Sequence, residues 1–209
     1  GSSLLVIHNQ VIPAFEKLME QYSVKEVYTN HDYEPYAMDR DSKVGEFLSG
    51  AGIPFQTFKD QVIFEKSEIM KSDGSPYTVF TPYSRRWKEN FSKINLPEYP
   101  SERYLAKCLQ IESFSMPELE EIGFVNPDFY LPLLNISEEL IRNYHLTRNL
   151  PAVNGTSHIS VHLRFGTISI RYLVKLAAKW NEQWLNELIW REFFMMILYQ
   201  YPHVVHNSF

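Results

Sequence analysis

One cysteine in 209 residues leaves Cys108 without a partner, so no internal disulfide staples this chain and a reducing, cytoplasmic setting fits it. The thiol itself reads as inert, half-buried on a helix. Nowhere is there a run of about eighteen apolar residues, the length a membrane-crossing helix needs. The opening GSSLLVIHNQ lacks the basic start and long apolar stretch of a secretory signal. A basic excess is also missing: net charge is −5, which argues against a surface coated for nucleic acid. No GxGxxG, no P-loop and no GxSxG occurs, which removes the common dinucleotide, NTPase and serine-hydrolase readings. His158 and His162 stand at i, i+4, but the intervening ISV lacks the glutamate of a zinc-binding HExxH. His203 and His206 have no evident third ligand, so no metal is expected.

What the chain does have is apolar bulk. Hydrophobic residues make up 44% and aromatics 15%, enough for a sizeable core and too much for global disorder. Charge is uneven along the chain. Residues 1–70 carry six Lys/Arg against eleven Asp/Glu, whereas residues 126–209 carry seven against six and five of the seven histidines. The C-terminal part is therefore the better home for an anionic ligand.

Strand-like and helical patterns alternate over residues 1–60. LLVIH, KEVYTN and PFQTF are β-like, while Val11–Tyr22 and Asp39–Ala51 have helical spacing. That order predicts a parallel sheet with crossover helices, though three strands are few for a doubly wound fold. From Gln61 to Val125 five prolines punctuate short pieces around one helix through YSRRWKENF. Beyond Ile136 the pattern is helical. Ser137 and the Glu138-Glu139 pair open one helix, and a second follows GTS. A third runs from Thr167 or Ser169 to Trp180, and a fourth stops before Pro202.

The fourth helix holds WLNELIWREFF, residues 184–194. At about 100° per residue, Trp184, Glu187, Trp190, Arg191 and Phe194 gather on one side, and Leu185, Ile189, Phe193 and Met196 on the other. A helix apolar on both faces is buried between layers, where an unpaired charge is costly. Two readings stay open: an intrahelical Glu187–Arg191 pair, or a pocket wall that stacks a flat ligand and hydrogen-bonds it through Glu187. NGTSHIS, residues 154–160, is equally double. Gly155 with Thr156, Ser157 and Ser160 at a helix start is either a plain cap or a cradle of N–H groups and hydroxyls for phosphate.

Longer stretches carry a resemblance. TNHDYEPYAMDRD, FKDQVIFE and YTVFTPYSRRW, then YHLTRNLPAVNGTSHISVHLRFGTISIR, WLNELIWREFF and YPHV, in this order, resemble the DNA photolyase/cryptochrome family, class I-type. The resemblance implies an internal fragment of such a protein. Residues 1–65 would be a partial, Rossmann-like parallel α/β antenna domain, 66–125 a long connection, and 126–209 the first part of an all-helical FAD-binding domain. FAD is the implied cofactor; Tyr36 and Ala37 replace the asparagine–glutamate pair of some folate-binding members, and no antenna chromophore is specified. By the resemblance, Tyr144, Thr156, Ser157 and Ser160, with His158 and Ile159 in the same turn, would hold FAD. Trp184 would lie against it, and Arg148 and Arg191 near phosphate of cofactor or DNA.

Glu187 would hydrogen-bond a flipped-out pyrimidine dimer and Trp190 would stack on its bases. The implied activity is light-driven splitting of cyclobutane dimers in damaged DNA, by electron transfer from reduced FAD, in a protein that is monomeric at full length. The alternative is a cryptochrome-type photoreceptor without repair. Glutamate at 187 with tryptophan at 190 favours repair. On this view the chain by itself binds FAD weakly or not at all, because the family segment that closes over the flavin lies beyond Phe209.

Overall fold

The computed structural model describes residues 2–125, 134 and 136–208. The start of the third expected segment, residues 126–133 and 135, lies outside them. The chain opens on helix α1 (Val11–Gln21), strand β1 (Val27–Asn30), helix α2 (Pro35–Gly50) and strand β2 (Phe55–Phe58). β1 and β2 pair in parallel, Val27 opposite Phe55 through Asn30 opposite Phe58, with α2 as the crossover that parallel neighbours require. Among the described residues these are the two strands of the sheet. LLVIH forms none: residues 4–8 lie outside any helix or strand. A β-like run becomes a strand only when another backbone takes up its N–H and C=O groups. α2 starts four residues earlier than expected, with Pro35 in its first turn, where a fixed φ and a missing N–H cost nothing.

Helix α3 (Phe80–Phe91) follows, then a 3-10 turn at Ser101–Lys107. Cys108 ends that turn and is exposed rather than half-buried on a helix. The remaining helices are α4 (Glu138–Thr147), the single turn α5 (Ser160–Arg164), α6 (Ile170–Trp180) and α7 (Glu182–Gln200). Side-chain caps set three of their starts. Ser137 accepts from the Leu140 N–H at 3.1 Å, Ser169 from Tyr172 at 3.4 Å, and Asn181 from Gln183 and Trp184 at 2.8 and 3.2 Å. Each satisfies donors that the first helical turn leaves free. α7 stops before Pro202.

One buried cluster joins what the chain order separates. Val62, Ile63, Phe64, Ile69, Tyr83, Trp87 and Leu96 pack with Ile141 of α4, with Leu173, Val174 and Ala177 of α6, and with Leu185, Ile189, Phe193 and Ile197 of α7. The first part of the proline-punctuated middle, residues 62–96, thus enters the core, with α3 and α6 against α7, whereas residues 97–125 are mostly exposed. The result is a mainly helical body with a small two-stranded parallel sheet at its side.

Candidate functional site

A cavity of about 490 Å³ opens between α4, the turn before α5, and α7. Tyr144 contributes from α4, and Thr156, Ser157, His158, Ile159 and Ser160 from the turn. Trp184, Glu187 and Arg191 face it from α7, one helical turn apart, with Leu188 and Met195 completing an apolar wall. Hydroxyls of the turn thus stand opposite an α7 wall that carries indole, aliphatic surface and the Arg191 guanidinium, a lining that suits a ligand with an anionic part and a flat apolar part.

The turn is held by two local devices. His158 lies at φ +50°, a left-handed conformation that histidine tolerates better than most residues; its Nε2 meets Asn154 Oδ1 at 3.3 Å and Thr156 Oγ1 at 3.2 Å. Gly155 sits against α4. The Thr147 hydroxyl donates to the Gly155 carbonyl at 3.2 Å, and a Cβ at 155 would run into the Thr147 side chain well inside van der Waals contact. Gly155→Ala is therefore expected to cost about 1–3 kcal/mol of overpacking. A thermal melt reads it, and a variant as stable as wild type would show that the turn gives way freely.

Glu187 and Arg191 do not pair with each other. The Glu187 carboxylate accepts from Arg148 Nη1 on the C-terminal side of α4 and from Gln183 Nε2 at 3.3 Å. Arg191 donates to two backbone carbonyls, Gln61 at 2.6 Å and Leu163 at 3.4 Å. The i, i+4 spacing permits the intrahelical pair, but each side chain finds a partner on another element that also satisfies a semi-buried polar group. Burial holds the Arg191 guanidinium below its ordinary range, and burial with Glu187 nearby lifts the Tyr144 phenol.

Residues 1–102 match the sequence model of the DNA photolyase family. Over its whole length the chain is 31% identical to a deoxyribodipyrimidine photo-lyase of Halobacterium salinarum, of which it covers 48%. The chain is thus similar to members of the DNA photolyase family along its whole length. Two solved structures agree in fold. An archaeal photolyase from Sulfolobus tokodaii, solved with two FAD molecules, matches with a TM-score of 0.59 at 25% identity, over 92% of this chain and 43% of that one. A Synechocystis cryptochrome matches with a TM-score of 0.70 at 18% identity, over 95% and 46%; at that identity it speaks for the fold alone. The chain spans about half the length of the photolyase relatives it matches.

Two of the expected site residues do not line this cavity. Arg148 is not part of the cavity lining; it reaches Glu187 and lies over the Tyr144 ring, 5.4 Å from its centroid. Trp190 is not part of the lining either. Its indole stacks on Phe80 at 3.6 Å and 6°, and on Phe194 at 5.4 Å and 22°. A helical wheel shows Phe194, on the same side of the same helix, but it cannot show Phe80, which comes from α3, over a hundred residues earlier.

The residue that pattern reading passed over is Glu192. It is 2% exposed, and its carboxylate accepts from the backbone N–H groups of Ile63 at 2.6 Å and Phe64 at 3.0 Å, from Trp87 Nε1 at 2.6 Å and from the Tyr83 hydroxyl at 3.4 Å. A signal existed: at about 100° per residue Glu192 falls among Leu185, Leu188 and Met196, a lone charge on an apolar sector. Arg164 was also missed; it lines the cavity while paired with Glu34 at 2.6 Å.

Burial pushes Glu192 up to about 7 from an ordinary 4.5, against the opposing pull of its hydrogen bonds. The folded chain therefore binds this proton more tightly than the unfolded chain does. The stability that follows is fully present below a pH of about 4.5 and is lost as pH rises through about 7. Between roughly pH 5 and pH 8 the wild-type unfolding free energy is expected to fall about 2–3 kcal/mol more than that of Glu192→Gln. Parallel slopes in urea titrations of the two proteins would contradict it.

Proposed function

We propose that this chain supplies one wall of the FAD site and the lesion-facing edge of a light-driven deoxyribodipyrimidine photolyase, a lyase that splits cyclobutane pyrimidine dimers in damaged DNA. The observation that carries the reading is the convergence of Tyr144, Thr156–Ser160, Trp184, Glu187 and Arg191 on one cavity. Their chemistry fits the cofactor. Hydroxyls of Thr156, Ser157 and Ser160 and the Arg191 guanidinium match phosphate oxygens, and Trp184, Leu188 and Met195 offer an apolar face to a flat ring system. FAD, when bound and reduced, supplies the light-driven electron. The chain's own part is to hold and orient: Arg191 stays cationic at neutral pH although partly buried, because two carbonyls hold it.

Glu187 takes the lesion-recognising role, its carboxylate accepting from a thymine N–H at the cavity. Arg148 keeps that carboxylate in place until a ligand arrives. Because Phe80 and Phe194 cover the faces of Trp190, the stacking surface for an extruded base is the outer end of this ladder. Phe194 is 60% exposed and carries the stack into solvent, recovering part of the stacking a flipped base loses, about 1–3 kcal/mol per base. In this reading residues 1–65 belong to a Rossmann-like antenna domain, 66–125 to the connection and 126–209 to the FAD-binding domain.

The test uses the full gene product with reduced FAD and ultraviolet-irradiated oligo(dT). Blue light is expected to restore the ultraviolet absorbance of thymine, with no restoration in the dark. A protein that binds FAD and leaves dimers intact under light would exclude repair and point to a photoreceptor.

A further inference from the structure

Glu192 has no part in flavin or lesion contacts, yet four donors converge on it. Its neighbour Arg191 lines the cavity. These consecutive α7 residues grip one short stretch, 61–64, by its backbone: Arg191 donates to the Gln61 carbonyl at 2.6 Å, and Glu192 accepts from Ile63 and Phe64 at 2.6 and 3.0 Å. Through Trp87 and Tyr83 the same carboxylate fixes α3. A guanidinium carries its donors in a rigid planar fork. Once Gln61 and Leu163 take two of its arms, the direction of the rest is decided.

We propose that Glu192 is a positioning residue: by pinning 61–64 against α7 it sets the Gln61 carbonyl that aims the Arg191 guanidinium at the cavity. The proposal rests on the reading of that cavity as the cofactor site. An apolar residue at 192 would pack well on this sector of α7, and a buried carboxylate is costly unless its partners are worth holding. What it holds is a loop whose backbone donors, Ile63 and Phe64, face inward. The titratable groups facing Glu192 are Tyr83 on α3, Tyr33 in the loop after β1, and Arg191 on α7 itself. Both phenols are pushed far above their ordinary range, chiefly by burial, so neither ionises near neutrality. Beyond Tyr33 lies the Glu65 carboxylate, which accepts from the Tyr33 hydroxyl at 2.8 Å and meets His31 Nδ1 at 2.7 Å, so the inflection is assigned to Glu192 by its loss in Glu192→Gln.

The experiment is a nitrogen–proton NMR titration of the chain without flavin, from roughly pH 5 to pH 9. Four probes are followed: the amides of Ile63 and Phe64, the Trp87 indole N–H and the Arg191 Nη1 protons. Expected is one shared midpoint for all four. In Glu192→Gln the inflection should vanish, and exchange with water of the Arg191 Nη1 protons, which donate to the Gln61 carbonyl, should quicken about tenfold or more as that carbonyl drifts. If Ile63, Phe64 and Trp87 respond while Arg191 stays still, Glu192 is an anchor and positions nothing in the cavity, and the proposal fails. It fails equally if no probe titrates. Should Glu192→Gln not fold, the wild-type titration decides alone. Since no flavin is present, a protein that binds no FAD would sink the cofactor reading and leave this result intact.

Discussion

Replacing Glu192 by alanine is expected to lower the unfolding free energy by about 3–5 kcal/mol, the scale on which a broken buried polar network destabilises a domain. The argument lies in what the substitution strands. Ile63 N–H, Phe64 N–H and Trp87 Nε1–H all lose their acceptor in a region sealed from water. Each orphaned donor costs about 1–3 kcal/mol. Part of the sum is returned because the buried carboxylate itself no longer has to be desolvated. Against a typical total of about 5–15 kcal/mol, the remainder is enough to leave the variant unfolded or with a much lower urea midpoint at unchanged slope. A loss below about 1 kcal/mol would mean that water enters or that the donors find other acceptors, and the network would then be incidental.

Glu187→Ala should behave in the opposite way. This carboxylate is one-third exposed and paired with an equally accessible Arg148, so its removal is expected to change stability by less than about 1 kcal/mol. The effect falls on the ligand. A hydrogen bond to a charged group is worth about 1.5–3 kcal/mol, so affinity of the full gene product for a thymine dimer should drop roughly 10- to 100-fold. Flavin content should hold, since Thr156, Ser157, Ser160 and Arg191 are untouched. Repair measured on irradiated oligo(dT) should slow accordingly. Equal repair at equal dimer concentration would remove Glu187 from the reaction. Together the two glutamates, five residues apart on one helix, separate a loss of fold from a loss of function.

Much of this architecture was legible in the residues. Ser137, Ser169 and Pro202 mark helix ends through local chemistry, hydroxyls that take up free N–H groups and a ring that cannot continue a helix. The pairing of KEVYTN and PFQTF in parallel follows from the helix between them. The cavity residues converge because two short motifs, each with its own periodicity, face one another across α4, α5 and α7. LLVIH shows the limit of such reasoning: its composition is β-like, but a strand needs a neighbour.

The sequence by itself determined which residues lie on which side of α7, since rotation per residue is a property of the helix alone. It could not determine what those sides meet. That Arg191 turns to Gln61 and Leu163, that Glu187 takes Arg148, and that Trp190 lies between Phe80 and Phe194 were decided by packing across separations of up to 130 residues. The same holds for Glu192, whose neighbours on the wheel are apolar and whose donors all come from residues 63–87. Periodicity reports direction from local geometry; partners depend on which distant backbone groups would otherwise be buried unpaired, and only the closed fold sets that.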